Sequence, residues 1–118
     1  MILSLVVASS ACMGSVTWAQ SNAELMAAAE KNSVKVEKIK TLKDETAVSL
    51  TGTLVKHLNQ DHYEFDDGTG MILLEIDDDD WKASGVKMGD RVHVLGEVDT
   101  HRYKPTDIEV LKISKIQP

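Results

Sequence analysis

The sequence predicts an all-β fold, a closed barrel of five short strands with one short helix between the third and fourth strands. Apolar and polar residues alternate with a period of two in several separate stretches, and turn-type residues separate those stretches. Two glycines, Gly52 and Gly96, stand in the middle of the first and fourth predicted strands. Glycine at such positions lets a strand bulge or coil sharply, as a small barrel requires.

The composition is that of one globular domain, because 42% of the 118 residues are hydrophobic and 27% are charged. Lysine and arginine number 13 against 19 aspartate and glutamate, which gives a net charge of −6. A net-acidic chain is poorly suited to binding nucleic acid or anionic lipid through charge. The single cysteine excludes a disulfide framework and a multi-cysteine metal site.

Residues 1–19 predict a secretory signal peptide, because they carry no charged side chain and contain a short apolar run, Ile2 to Ala8. The run is too short for a transmembrane helix. Small residues, Thr17 and Ala19, suit cleavage after Ala19. We therefore expect an exported protein in which residues 20–40 form a partly helical leader and residues 41–118 form the barrel domain. A buried N-terminal helix is the alternative interpretation of residues 1–19.

The leader shows one helix signal. Ser21 and Glu24 fit a capping box and predict a short helix over residues 22–31. This helix has few large apolar residues, so we expect weak anchoring to the barrel. Beyond it, Val34 and Val36 alternate with polar residues and favour extended chain.

Five strands follow the leader. Between the third and fourth strands, the residues from Asp77 to Gly85 predict a short helix that directs Trp81 beneath the barrel. The predicted strands are Ala47–Leu58, His62–Asp66, Gly70–Ile76, Arg91–Val98 and Asp107–Ile116. Three strands, a short helix and two more strands is the order of the OB-fold, a Greek-key barrel. An SH3-like barrel is the alternative, although it does not usually have a helix at that point.

The stretch from residue 42 to residue 116 resembles the bacterial OB-fold (BOF) family of YgiW/YdeI-like stress-tolerance proteins. The matching segments are residues 42–52, residues 63–70, Ile76-Asp77 leading to Trp81, and residues 96–99. The resemblance implies a small periplasmic protein that contributes to envelope stress tolerance through binding rather than catalysis. The sequence departs from the family pattern in two places: Ala47 stands where an aromatic residue is common, and the segment Asp77 to Asp80 is unusually acidic.

The second and third strands form the usual ligand face of an OB-fold, and this face is acidic. Residues 61–80 hold nine acidic residues and no lysine or arginine. The candidate ligand-binding residues on this face and the nearby loop are His62, Glu64, Asp66, Leu73, Glu75, His101 and Tyr103. Because the resemblance implies a binding protein, we expect this face to bind a small ligand or a protein partner. A cation- or metal-buffering protein that uses this acidic face and its histidines is the alternative function, and a merely solvated acidic surface is the third interpretation.

Nucleic-acid binding and catalysis are both disfavoured. An oligonucleotide face needs cations and outward aromatic rings, whereas Tyr63 and Phe65 share the core face of their strand. His57 and His62 flank a hairpin turn but lack the third ligand of a tight zinc site, so we predict no metal site and no cofactor. The four aspartates at 77–80 start a helix rather than a calcium loop. No catalytic motif is present in the sequence, which predicts a protein that is not an enzyme.

Overall fold

The computed structural model describes residues 21–117, and its five strands close into a barrel in the order β1-β2-β3-β5-β4. The strands are β1 (Ala47–Asn59), β2 (His62–Asp66), β3 (Met71–Glu75), β4 (Arg91–Asp99) and β5 (Asp107–Lys115). Neighbouring strands are antiparallel except β3 and β5, which are parallel. This is the predicted OB-fold, and the SH3-like alternative is wrong. The predicted signal peptide, residues 1–19, lies outside the described residues.

In the described part of the chain, three short helices accompany the barrel: α1 (Asn22–Glu30), α2 (Val36–Ile39) and α3 (Asp78–Ser84). The predicted capping box begins α1, because the Glu24 amide donates to Ser21 Oγ (3.2 Å) and the Ser21 amide donates to Glu24 Oε1 (3.1 Å). Asp77 precedes α3 as expected, but its side chain does not cap the helix. None of the helices within residues 21–117 is long and apolar enough to cross a membrane.

The core lies inside the barrel and is built from the inward face of each strand. Tyr63 and Phe65 are 2% and 0% exposed, which confirms that both rings of β2 face inward. Alternate residues of the other strands complete the core, including Val48, Leu50, Leu54, Leu74, Val92, Val94, Ile108 and Val110. This alternation fixes the register of each strand, since a slip by one residue would expose the whole apolar set.

The two mid-strand glycines serve different purposes. A Cβ on Gly52 would lie 2.6 Å from the Asp66 carbonyl oxygen and 2.7 Å from the Phe65 ring, so glycine here allows close packing of β1 on β2. Gly96 adjoins a register shift between β4 and β5, and its missing Cβ makes room for the backbone of Glu109. A register shift thus lies at Gly96, whereas the strand pairings show none at Gly52.

The leader is tied to the barrel more firmly than its composition suggests. Ala29 of α1 is fully buried, and the Ser49 amide donates to the Asn32 carbonyl oxygen (2.9 Å). The extended chain expected through Val34 and Val36 is limited to one bridge between Ser33 and Ser49. The chain then forms α2, because Val36 and Ile39 lie on the same side of a helical turn and are both buried against the core.

The Trp81 side chain is less deeply buried than the sequence predicts. The indole is only partly buried, and no residue of α3 is fully buried. Its ring stacks on the ring of Tyr63 with centroids 4.6 Å apart. Because Tyr63 already occupies the core position beneath α3, Trp81 packs on Tyr63 rather than entering the barrel.

Candidate functional site

The face of β2 and β3 carries a groove, and two of the predicted site residues line it. Its volume is 640 Å³. Glu64 and Leu73, cross-strand partners on β2 and β3, contribute to the groove. One wall is α2 and the other is the end of the β4–β5 loop. The remaining lining residues are Val36, Ile39, Lys40, Met71, Ile72, Lys104, Pro105 and Thr106.

The lining of the groove is mainly apolar, with charges of both signs. Met71, an apolar residue of this lining, is 53% exposed. Lys40 comes from the segment after α2 and Lys104 from the β4–β5 loop, and Glu64 is the one carboxylate in the lining. Such a surface suits a ligand that has an apolar body and at least one polar or anionic group.

Two predicted site residues lie elsewhere. Asp66 ends β2, and its Oδ1 accepts a hydrogen bond from the Gly68 amide (2.8 Å), so this carboxylate shapes the β2–β3 turn. Tyr103 is 90% exposed in the β4–β5 loop, where the Arg102 guanidinium lies 5.9 Å from the centre of its ring. Neither residue lines the groove.

The other three predicted residues lie together in a second place: His62, Glu75 and His101. With Asp99 and Asp107 they form what we call the histidine–carboxylate cluster. His62 and Glu75 are cross-strand partners at one end of the β2–β3 pair. Asp107 begins β5 and is 3% exposed. Its Oδ1 lies 3.1 Å from His101 Nε2, while its Oδ2 lies 3.7 Å from His62 Nε2. One buried carboxylate thus faces two imidazoles.

The surroundings of this cluster are negative. Burial raises the pKa of Glu75, and the charges of Asp61 and Asp107 raise it further, whereas His62 acts in the opposite direction. Burial also raises the pKa of Glu109, followed by the charge of Glu75. No lysine or arginine is among the charges that shift either pKa. Among the charges that shift the pKa of Glu75, His62 is the one that opposes the carboxylates.

Several residues of the groove and of the histidine–carboxylate cluster were not predicted from the sequence. Asp107 gave no signal, because the alternation of β5 places it on the outer face with Glu109, yet it is buried. Lys40 and Lys104 come from segments that meet only when the chain folds. His57, which the sequence pairs with His62, instead stacks on Tyr63 with ring centroids 4.3 Å apart and bonds the Gln60 carbonyl oxygen through Nε2 (2.9 Å).

Comparisons with known proteins agree with this architecture. The chain is 37% identical over 83 residues to Protein YgiW of Escherichia coli K12, a match that covers 70% of this chain and 63% of that protein. It is 40% identical over 73 residues to the calcium-regulated OB-fold protein CarO of Pseudomonas aeruginosa, covering 61% of this chain and 63% of CarO. The matches therefore span less than two thirds of either relative.

Solved structures give the same result. The structure of the hypothetical protein ygiW from E. coli superposes with a TM-score of 0.64 at 36% identity, covering 72% of this chain and 90% of that one. The telomere capping protein Ten1 from Saccharomyces pombe superposes with a TM-score of 0.55 at 14% identity, covering 71% of this chain and 79% of Ten1, which shows a shared fold alone. The sequence profile described as "Bacterial OB fold (BOF) protein" matches residues 15–115. The chain belongs to the bacterial OB-fold family.

Proposed function

We propose that this protein is exported to the periplasm and contributes to envelope stress tolerance by holding a small ligand or a segment of a protein partner in the groove. The single observation that carries this proposal is the position of the groove. It lies on the β2–β3 face beside the β4–β5 loop, where OB-folds bind their ligands. The family membership and the charge-free residues 1–19 support export and the envelope role.

The groove's lining narrows the chemistry of its occupant. Met71, Ile72 and Leu73 offer apolar surface to an apolar body, and Lys40 and Lys104 attract an anionic group. A ligand of this kind gains affinity from apolar area and orientation from the two lysines. In a partner segment, aliphatic side chains would contact the apolar surface and acidic side chains would pair with the two lysines.

Nucleic acid does not suit this surface. Stacking of bases needs exposed aromatic rings along the face, but Tyr63 and Phe65 are buried and Tyr103 stands alone on its loop. The neighbouring carboxylates of β2, Glu64 and Asp66, would repel phosphates, and counterion release needs more cations than Lys40 and Lys104 supply. We therefore propose that this OB-fold does not bind single-stranded DNA or RNA.

A binding role also fits the side chains better than catalysis. Ser49 Oγ and His93 Nε2 are 2.7 Å apart, the separation of a nucleophile and its base. However, Ser49 is 4% exposed, and Glu30 approaches the same His93 nitrogen (4.0 Å) rather than the opposite one. Within residues 21–117 no carboxylate is paired with the second ring nitrogen of His93, and the Ser49–His93 bond joins β1 to β4.

Capture from a periplasmic extract tests the groove. The immobilised protein should retain a small molecule or a protein that mass spectrometry identifies, and Met71→Asp should lose it because a carboxylate enters the apolar lining. Met71 is 53% exposed, so the substitution leaves the core intact. We expect the affinity for the captured species to fall at least about tenfold, which corresponds to about 1.4 kcal/mol.

Val55→Asp is the matched control, because Val55 is another exposed apolar strand residue (46%) and lies outside the groove. It should retain the captured species at wild-type levels. Equal capture by wild type and Met71→Asp would argue against the groove. A labelled oligonucleotide completes the test, and micromolar binding at about 0.15 M salt would refute the exclusion of nucleic acid.

Export has a separate test. Protein recovered from the periplasm should begin at Gln20, because the residues that suit cleavage precede it. Mass spectrometry of the intact protein measures this directly. Recovery of only the uncleaved chain, from the cytoplasm, would contradict the proposal.

A further inference from the structure

We propose that His62, Glu75 and Asp107 form a binding site for a divalent transition-metal ion such as Zn²⁺. One ligand atom from each residue, an imidazole nitrogen or a carboxylate oxygen, lies within 4.8 Å of the other two. The inference does not depend on what occupies the groove, and it replaces the sequence-based expectation that no metal is bound. It also gives the cation-binding alternative a defined place in the fold.

The backbone holds the three residues together. His62 begins β2 and is the cross-strand partner of Glu75, which ends β3. Asp107 begins β5, the strand that pairs in parallel with β3. The three ligands therefore come from three adjacent strands of a closed barrel, which limits how far they can move apart. Such a preformed arrangement reduces the entropy lost when an ion binds.

The separation of His62 and Asp107 fits a shared ion better than a direct bond. His62 Nε2 lies 3.7 Å from Asp107 Oδ2, which is beyond hydrogen-bonding distance. Two ligand atoms that each lie about 2.0–2.2 Å from one Zn²⁺ are roughly 3–3.5 Å apart. A small closure of the pair would therefore bring both atoms to bonding distance of the same ion.

Neighbouring groups orient two of the ligands. His62 Nδ1 lies 3.1 Å from Asp61 Oδ1, so the ring can donate its proton there and leave Nε2 as the metal-binding nitrogen. His101 Nε2 lies 3.1 Å from Asp107 Oδ1 and holds that buried carboxylate with Oδ2 towards His62. A carboxylate behind a histidine ligand is the usual support of a metal-bound imidazole.

Charge favours a cation here. Glu75, Asp107 and the nearby Asp61 and Asp99 are all carboxylates, and the lysine ion pairs found within residues 21–117 are made to Asp78 and Asp90 rather than to these four. With Nδ1–H directed at Asp61, a neutral His62 would direct the lone pair of Nε2 at carboxylate oxygens. A metal ion between them turns this repulsion into coordination. The imidazole selects zinc-like ions over calcium, which prefers oxygen ligands only.

Calorimetric titration of the protein with ZnCl₂ at about 0.15 M salt tests the site. We expect saturable one-to-one binding that weakens at least tenfold in His62→Gln and in Glu75→Gln. His57→Gln is the matched control and should bind like wild type, because His57 is exposed and bonds a backbone carbonyl oxygen outside the cluster. Titration with CaCl₂ should give at least tenfold weaker binding.

A measurement on the unaltered protein removes any dependence on how the variants fold. NMR spectra of the imidazole nitrogens should show that Zn²⁺ shifts Nε2 of His62, while the nitrogens of His57 and His93 keep their positions. Absence of saturable Zn²⁺ binding, equal loss in His57→Gln, or calcium binding as tight as zinc binding would each overturn the proposal.

Discussion

Replacing Phe65 with alanine should destabilise the barrel by about 3–5 kcal/mol, the usual cost of removing a buried aromatic ring. Phe65 is fully buried, and its ring lies against Gly52, where even a methyl group would meet it at 2.7 Å. Gly52 itself has no side chain that could fill the space that the ring leaves. Because a domain of this size is stable by only about 5–15 kcal/mol, the loss is a large share of the total.

Urea unfolding followed by circular dichroism measures this loss. Val55→Ala is the control, because it also shortens an apolar strand residue but at a position that is 46% exposed. It should change the free energy of unfolding by less than about 1 kcal/mol, as surface substitutions usually do. Similar losses in the two variants would mean that Phe65 does not lie in a closely packed core.

Replacing Asp67 with asparagine should cost about 1.5–3 kcal/mol, the range for hydrogen bonds to a charged group. Its Oδ2 accepts a hydrogen bond from the Val36 amide (2.8 Å), and its Oδ1 accepts from the amide (2.9 Å) and hydroxyl (2.6 Å) of Thr69. These bonds tie α2 to the β2–β3 turn. Asp66→Asn is the control, because Asp66 accepts from Gly68 in the same turn and has no bond to α2.

The loss should depend on pH. Burial acts to raise the pKa of Asp67, but the hydrogen bonds from Thr69 and Val36 outweigh it and leave this pKa below its usual value of 3.8. A carboxyl whose pKa is lowered by folding stabilises the protein above the unfolded pKa, and this stabilisation disappears as the pH falls through the folded pKa. Wild type and Asp67→Asn should therefore differ at pH 7 and converge as the pH falls through the folded pKa, which lies below 3.8. A difference that persists in acid would contradict the role of the ionised carboxylate.

The strands of this fold were predictable because their signals are local. Alternation identified all five strands to within about one residue at most ends, and Asp67-Gly68 marked the β2–β3 turn. The four residues of α2 were missed, since a single turn has too few positions to show helical periodicity. The partial exposure of Trp81 depends on Tyr63, a residue of β2 that is distant in the sequence, so no local pattern predicts it.

The candidate site was predictable only in part, for the same physical reason. His62, Glu64, Leu73 and Glu75 follow from the identity of the OB-fold face. Asp107 joins them only through the parallel pairing of β3 with β5, two strands separated by α3 and β4 in the chain. Lys40 and Lys104 likewise reach the groove through the packing of α2 and the path of the β4–β5 loop, and neither is encoded by a local pattern.

The parallel pairing of β3 and β5 has a consequence for how the barrel opens. It rests on two register pairs, Leu74 with Ile108 and Glu75 with Glu109, far fewer than β5 makes with β4. When the barrel opens, β3 and β5 should therefore separate first, and their separation would expose two unpaired strand edges to other chains. Glu75 lies on the β3 side of this pairing and Asp107 on the β5 side, and the two halves of the groove are divided in the same way. A ligand that contacts both sides would hold β3 and β5 together and keep these edges from pairing with other chains.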